Sequence, residues 1–182
     1  MSSQNYKIIN PKELKENVFK LLEDKWMLIT AAKKSGAYNT MTASWGGMGI
    51  MWNKPVSWCV IRPQRYTYGF MEEADYYTLS FFPEEYRKAL NILGTKSGRN
   101  GDKIKESGLT PYEYYEIDKG LDDIINKRIF FEEADITLIC KKLYYQDVNP
   151  TNFTDINLDK NYPKKDYHRM YFGEIVSCNV KE

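Results

Sequence analysis

Leu14, Val18, Leu21 and Leu22 recur at helical spacing, which predicts an amphipathic helix over residues 11–23 with Asn10 as cap and Pro11 in its first turn. Residues 26–32 are apolar and β-prone, Lys33-Lys34-Ser35-Gly36 has turn composition, and residues 39–45 are rich in Thr and small side chains. This pattern predicts a strand, a turn and a second strand. Three glycines within Gly46-Gly47-Met48-Gly49 are expected to break that second strand. A buried strand is expected at residues 57–61, a short helix at 66–74 and a strand at 76–82. A helix is expected from Pro83 to about residue 91, with Glu84 and Glu85 in the first turn, where the helix dipole favours anions. A loop leads into a short helix at 102–107. A long, bent strand is expected over 131–148, a polar excursion over 149–165 and a closing strand over 168–180.

The sum is roughly five to seven strands and two to four helices, without regular βαβ alternation. A closed or half-open antiparallel barrel buries such a chain without leaving long edges. The 182 residues suit one domain, with the barrel core over about 25–180. The 15 Tyr, 8 Phe and 4 Trp fit a β-rich core, and one or two of them fit a role bracketing a flat ligand.

Charge narrows the field. With 26 basic and 25 acidic residues, no global field gathers nucleic acid or anionic membrane. An anionic ligand must be held by local donors. Cys59, Cys140 and Cys178 are far apart, and the sole histidine, His168, has no cysteine at zinc-finger spacing. Neither a metal site nor a disulfide framework is expected. Residues 1–9 lack an apolar signal core, and no apolar run approaches a membrane span. The expected compartment is the cytoplasm.

Four segments offer chemistry. Asn39-Thr40-Met41-Thr42-Ala43-Ser44-Trp45 carries more donors and acceptors than a core strand needs; it suits the edge of a heteroaromatic ring, or simply an edge strand with a tight turn. Arg62-Pro63-Gln64-Arg65-Tyr66-Thr67 places two guanidinium groups and a hydroxyl where a strand meets a helix, which suits a phosphate as well as a solvated basic turn. The loop Gly94 to Lys103, with Ser97 inside it, is flexible and basic and lacks the Walker A order. His168 opens the last strand, as a structural residue or a pocket wall.

In order and spacing, these runs, with Leu79-Ser80-Phe81-Phe82 and His168 through Glu174, resemble the flavin reductase-like, FMN-binding split-barrel family, especially its flavoredoxin-type subgroup. The resemblance covers about residues 25–180. It implies a mainly β fold with flanking helices, a six-stranded antiparallel Greek-key barrel, and a homodimer with FMN near the interface. It implies ring or ribityl contacts from Asn39, Thr42, Ser44 and Trp45, with Thr40, Met41 and Ala43 on the same strand. Arg65 and Thr67 match phosphate positions, with Arg62, Gln64 and Tyr66 in the same run. Ser97 lies in the flanking loop, Lys103 matches a flavin-contacting lysine, and His168 a pocket histidine. No residue is assigned as a catalyst. The implied activity passes electrons from NAD(P)H, as a transient reductant, through FMN to an acceptor. The alternatives are an electron carrier reduced by a protein partner and a ligand-free barrel that acts as a binding module. No Gly-x-Gly-x-x-Gly fingerprint is present, so a nicotinamide would dock transiently. The stretch between Lys103 and His168 follows no family pattern.

Overall fold

The computed structural model describes residues 6–117 and 125–182. The strands are β1 (Tyr6–Ile9), β2 (Met27–Ala32), β3 (Tyr38–Ala43), β4 (Gly46–Met51), β5 (Lys54–Ile61), β6 (Tyr76–Phe81), β7 (Pro111–Ile117), β8 (Ile125–Phe131), β9 (Ile136–Asp147) and β10 (Arg169–Lys181). The helices are α1 (Val18–Lys20), α2 (Tyr66–Glu73), α3 (Arg87–Thr95) and α4 (Lys103–Ser107). Eight strands form one sheet in the order β3-β2-β6-β9-β10-β5-β4, with β1 added on β10, while β7 and β8 form a separate hairpin. Every pairing is antiparallel. The sheet curls without its two end strands pairing, so the barrel is split, as expected for this mainly β chain. No helix among the described residues is long and apolar enough to cross a membrane.

β2 explains its own composition. All six of its residues are buried, because both of its faces are covered. Met27, Ile29 and Ala31 enter the barrel core with Ile61, Phe70, Tyr77 and Tyr171. Leu28 points the other way, into a second cluster with Leu90, Leu93 and Phe131 beneath α3. The sheet therefore carries α2 against one core and α3 with α4 against the other.

Several elements depart from the sequence pattern. The single helix expected over 11–23 is a 3-10 turn at Pro11–Glu13, one α turn at Val18–Lys20 and a π turn at Leu21–Lys25. Asn10 does cap, accepting from the amide of Lys12 at 3.0 Å. Asn17 then accepts from the amides of Phe19 and Lys20 and starts a second helical turn, so its side chain competes with helix continuation. The glycine run expected to break a strand is itself the strand β4, paired along its length with β5. A Cβ on Gly46 would lie 2.6 Å from the Trp58 carbonyl oxygen, and one on Gly47 2.4 Å from Trp58 Nε1. Gly47 thus makes room for the Trp58 ring, and Gly46 for the backbone of β5. Phe131 ends β8, and β9 begins only at Ile136. The bend of β9 lies opposite register shifts in β10, the local twist that β-bulges introduce. The hairpin β7–β8 and the strand β1 had no counterpart in the pattern. The expectation for residues 1–9 falls outside the described residues up to residue 5; Tyr6–Ile9 pairs with β10.

Gly173 sits where β10 crosses β9 and the buried Tyr77, and a Cβ there would lie 2.6 Å from the Tyr77 hydroxyl and 2.9 Å from Cys140 Cβ. Gly69, within α2, has nothing within 4 Å of its Cβ position. Gly173→Ala is expected to destabilise the fold by about 1–3 kcal/mol, the cost of overpacking a core. Gly69→Ala is expected to stabilise it by about 0.5–1 kcal/mol through helix propensity. Urea unfolding midpoints of the two variants check both signs.

Candidate functional site

β3 has two polar faces with different destinations. Thr40 is buried, its hydroxyl accepting from Thr30 at 2.9 Å and donating to the Ile29 carbonyl. The Thr42 hydroxyl donates to the Leu90 carbonyl of α3 at 2.5 Å. These two threonines tie the strand to its neighbours. Asn39 and Met41 instead line a cavity of about 250 Å³. Asn39 is buried, and its Nδ2 donates to Thr67 Oγ1 at 2.8 Å. That bond fixes β3 against the start of α2. Ala43 packs on the barrel core.

The cavity is cationic. Arg65, Lys96, Arg99 and Lys103 line it together with Gln64, Tyr66, Thr67 and Ser97, and no carboxylate is among its lining residues. Arg65 is the residue before α2, a helix with no side-chain cap, so the first N–H groups of α2 are left for an external acceptor. The Arg65 guanidinium has only a long contact to the Gly94 carbonyl, at 3.4 Å. Arg99 lies over the Tyr66 ring at 4.9 Å and donates to the Gln64 carbonyl at 3.1 Å. Lys96 pairs with Glu106. Lys103 is buried, and its Nζ donates to the Leu93 carbonyl at 2.8 Å. Burial, and then the nearby Arg65 charge, pull its pKa down to about 8. The loop closes tightly over this corner: a Cβ on Gly98 would lie 2.5 Å from Asn39 Oδ1 and 3.0 Å from the Tyr66 ring.

Arg62 has a different role from Arg65. Its Nη1 donates to both oxygens of Asp166 at 3.0 Å, and its Nη2 to the Asn161 carbonyl at 2.9 Å. The Gln64 amide also reaches Asp166. Arg62 holds the Asp166 carboxyl below the usual carboxylate range. This group anchors the 149–165 excursion to the corner and is not free to bind phosphate, although Gln64 remains in the cavity wall.

Beyond the other end of β3, Ser44, Trp45 and Gly46 line a second, open cleft with Trp58, Tyr162 and His168. The Trp45 and His168 rings are 5.2 Å apart. His168 Nδ1 meets the Tyr162 hydroxyl at 2.9 Å. Burial first, and the cationic neighbours Arg62 and Arg65, push the His168 pKa down to about 4, with Asp166 opposing. The imidazole is therefore neutral at pH 7. The five residue steps from Asn39 to Ser44 span roughly 17 Å at strand rise. Cavity and cleft thus lie toward the two ends of β3.

The residues singled out in the sequence therefore divide. Asn39, Met41, Gln64, Arg65, Tyr66, Thr67, Ser97 and Lys103 meet at the cavity, while Ser44, Trp45 and His168 meet at the cleft. Thr40, Thr42, Ala43 and Arg62 serve packing and anchoring. Arg99 and Lys96 were missed as cavity residues, though their basic loop was visible. Tyr162 was missed because nothing in a polar excursion marks one tyrosine as the partner of a distant histidine.

Comparison with known proteins gives a consistent result. No curated protein matches the chain. Among solved structures, an FMN-binding domain of a flavin reductases-like enzyme from Shewanella baltica is similar, with TM-score 0.65 and 17% identity over 98% of this chain and 78% of that one. Flavoredoxin of Desulfovibrio vulgaris aligns with TM-score 0.63 and 20% identity over 95% of this chain and 78% of its own. Nitrilotriacetate monooxygenase component B from Bacillus cereus aligns with TM-score 0.62 and 18% identity over 99% and 84%. At these identities the likeness is one of fold. The family model described as flavin reductase like domain matches residues 21–182, nearly the whole chain, and the protein belongs to that family.

Proposed function

We propose that the chain binds FMN and uses it for two-electron redox chemistry, with NAD(P)H as reductant. The observation that carries this reading is the carboxylate-free cavity of Arg65, Lys96, Arg99 and Lys103 at the start of α2, joined by β3 to an aromatic cleft. A ligand with a dianionic phosphate at one end, an extended polar linker and a flat ring at the other fits such a track. The similar structures described as FMN-binding and as flavoredoxin support it.

In this reading Arg65 and the open end of α2 hold the phosphate, with the Thr67 hydroxyl oriented by Asn39. Lys103 supplies a partly desolvated positive charge at the cavity wall. The backbone around Ser44 to Gly46 lies beside the ring, and Trp45 and His168 flank it. Bound FMN supplies hydride chemistry itself; the protein binds, orients and tunes it. Neutral His168 neither adds nor removes a charge there.

A second reading, an electron carrier reduced by a protein, is favoured by one observation. Glu23 is the only charged side chain among the residues lining the cleft, so no cation there awaits a dinucleotide's phosphates. Stopped-flow mixing of the flavin-loaded protein with NADH and NADPH separates the two readings. Bleaching of the flavin absorbance is expected with at least one nucleotide, and its absence with both would leave the carrier.

The purified protein is expected to be yellow and to release FMN on heating. Arg65→Ala should weaken FMN binding by about 1.5–3 kcal/mol, the worth of a hydrogen bond to a charged group, read by fluorescence titration. An unchanged affinity would move the phosphate site elsewhere.

Lys103 sets a pH dependence. In the free protein its ammonium loses its proton above about pH 8, whereas a bound dianion favours the charged form. Binding above that pH must take up a proton, so FMN affinity falls as pH rises past 8, by up to about tenfold per unit. Lys103→Met should abolish this slope in the same titration run from pH 7 to 10.

A further inference from the structure

Lys103 stands apart from the other cations of the cavity. Only 4% of its surface is open to solvent, so a reagent reaches its amine by way of the cavity that it lines. Its Nζ donates to the Leu93 carbonyl at 2.8 Å, and Arg65 Nη1 contacts the next carbonyl, that of Gly94, at 3.4 Å. Consecutive carbonyls in the last turn of α3 therefore seat the two cations side by side. The bond to Leu93 is the only one the amine makes among the described residues, where an ammonium has three to give.

The cavity thus joins an anion grip to a nucleophile. Arg65 and Arg99 are exposed at its rim, and no carboxylate lines it. Lys96, the other amine of the lining, is held by Glu106. With its pKa pulled down to about 8, roughly a quarter of Lys103 is neutral at pH 7.5, against roughly one part in a thousand of an ordinary lysine. Desolvation beside a second cation is what makes a lysine amine nucleophilic near neutral pH.

We propose that Lys103 is a site of acylation by small acyl phosphates: Arg65 and Arg99 hold the phosphate, Lys103 Nζ takes the acyl group, and the acylated cavity no longer accepts FMN. In the step, the neutral amine attacks the carbonyl carbon, a C–N bond forms, and the C–O bond to phosphate breaks. The phosphate leaves with that electron pair and with the proton the amine loses, as hydrogen phosphate; nothing is oxidised or reduced. The guanidinium groups stabilise the charge that gathers on the leaving oxygen. A phosphate monoester offers the amine no acyl carbon, and an acyl thioester has no phosphate beside its carbonyl, so each meets only half of the site. A cavity of about 250 Å³ lies below the range of drug-sized pockets and suits a small donor. Acylation replaces a cation by a neutral amide in the cavity wall. The loss of FMN binding rests on the flavin reading; the acylation does not.

Incubation of the full chain with acetyl phosphate at pH 7.5, freed of flavin by dialysis and again after saturation with FMN, tests this, with acetylation of each lysine followed by peptide mass spectrometry. Lys105, exposed on the same short helix, is the internal reference. In the flavin-free protein Lys103 is expected to react at least about tenfold faster than Lys105. Saturating FMN is expected to slow Lys103 at least about tenfold by occupying the cavity, and to leave Lys105 unchanged. Arg65→Ala should slow Lys103 about tenfold or more, the worth of a hydrogen bond to a charged group. With N-acetoxysuccinimide, an acetyl donor without phosphate, the preference for Lys103 over Lys105 should shrink about tenfold, since the same grip is missing. Circular dichroism establishes that the flavin-free protein and the variant are folded. A Lys103 rate no higher than that of Lys105, an unchanged rate in Arg65→Ala, equal selectivity with the two donors, or FMN that binds without slowing Lys103 would each overturn the proposal. A protein that refuses FMN yet is acetylated selectively at Lys103 would sink the flavin reading and leave the acylation standing.

Discussion

The arrangement turns on the buried hydrogen bond from Asn39 to Thr67. A buried amide without a partner costs about 1–3 kcal/mol, so this contact sets the distance between β3 and the first turn of α2. The same Asn39 oxygen is where the loop after α3 closes, at Gly98. One side chain therefore registers a strand, a helix start and a basic loop against each other. The cavity is the space those three leave between them. Arg65, Lys103 and Arg99 converge on it because each is carried by an element that Asn39 holds, directly or through a neighbour.

That convergence has an electrostatic cost. Bringing cations together without an intervening carboxylate raises the free energy of the empty corner, and the lowered proton affinity of Lys103 is its visible sign. The protein meets the cost locally. Arg99 spreads its charge over Tyr66, Lys96 takes Glu106, and Arg62 is turned outward to Asp166. Arg65 retains the least internal pairing and is the group most available to an anion. The near-zero net charge of the whole chain hides this corner completely.

The opposite end of the track obeys a different constraint, the close packing of aromatic rings. Trp58 occupies the space over Gly46 and Gly47, which makes a flat glycine strand necessary there. The excursion then brings Phe153 and Tyr162 back over Trp45 and His168, held by Arg62 and Gln64 through Asp166. Arg62 and Gln64, from the same run as Arg65 and Thr67, thus anchor the roof of the apolar cleft and couple the two ends of the site through a short turn.

By itself the sequence determined the strand-rich class, the short helix after Pro63, and the pairing of a polar strand with a basic corner. Periodicity, turn residues and the Arg-Pro-Gln-Arg-Tyr-Thr run are local signals, readable within a few residues. It did not reveal that Gly46–Met51 is a strand, because what makes glycine fit there is a tryptophan on the next strand. It overstated the N-terminal helix, because the apolar spacing of Leu14 to Leu22 outweighed the Asn17 side chain that interrupts it. It could not tell Arg62 from Arg65, since residues of one type in one motif are separated only by the distant carboxylate that claims one of them. Tertiary structure alone decided which polar residues face the cavity, which face the sheet and which tyrosine orients His168. Those choices rest on contacts between residues far apart in the chain or on the direction of a side chain, and neither leaves a periodic trace.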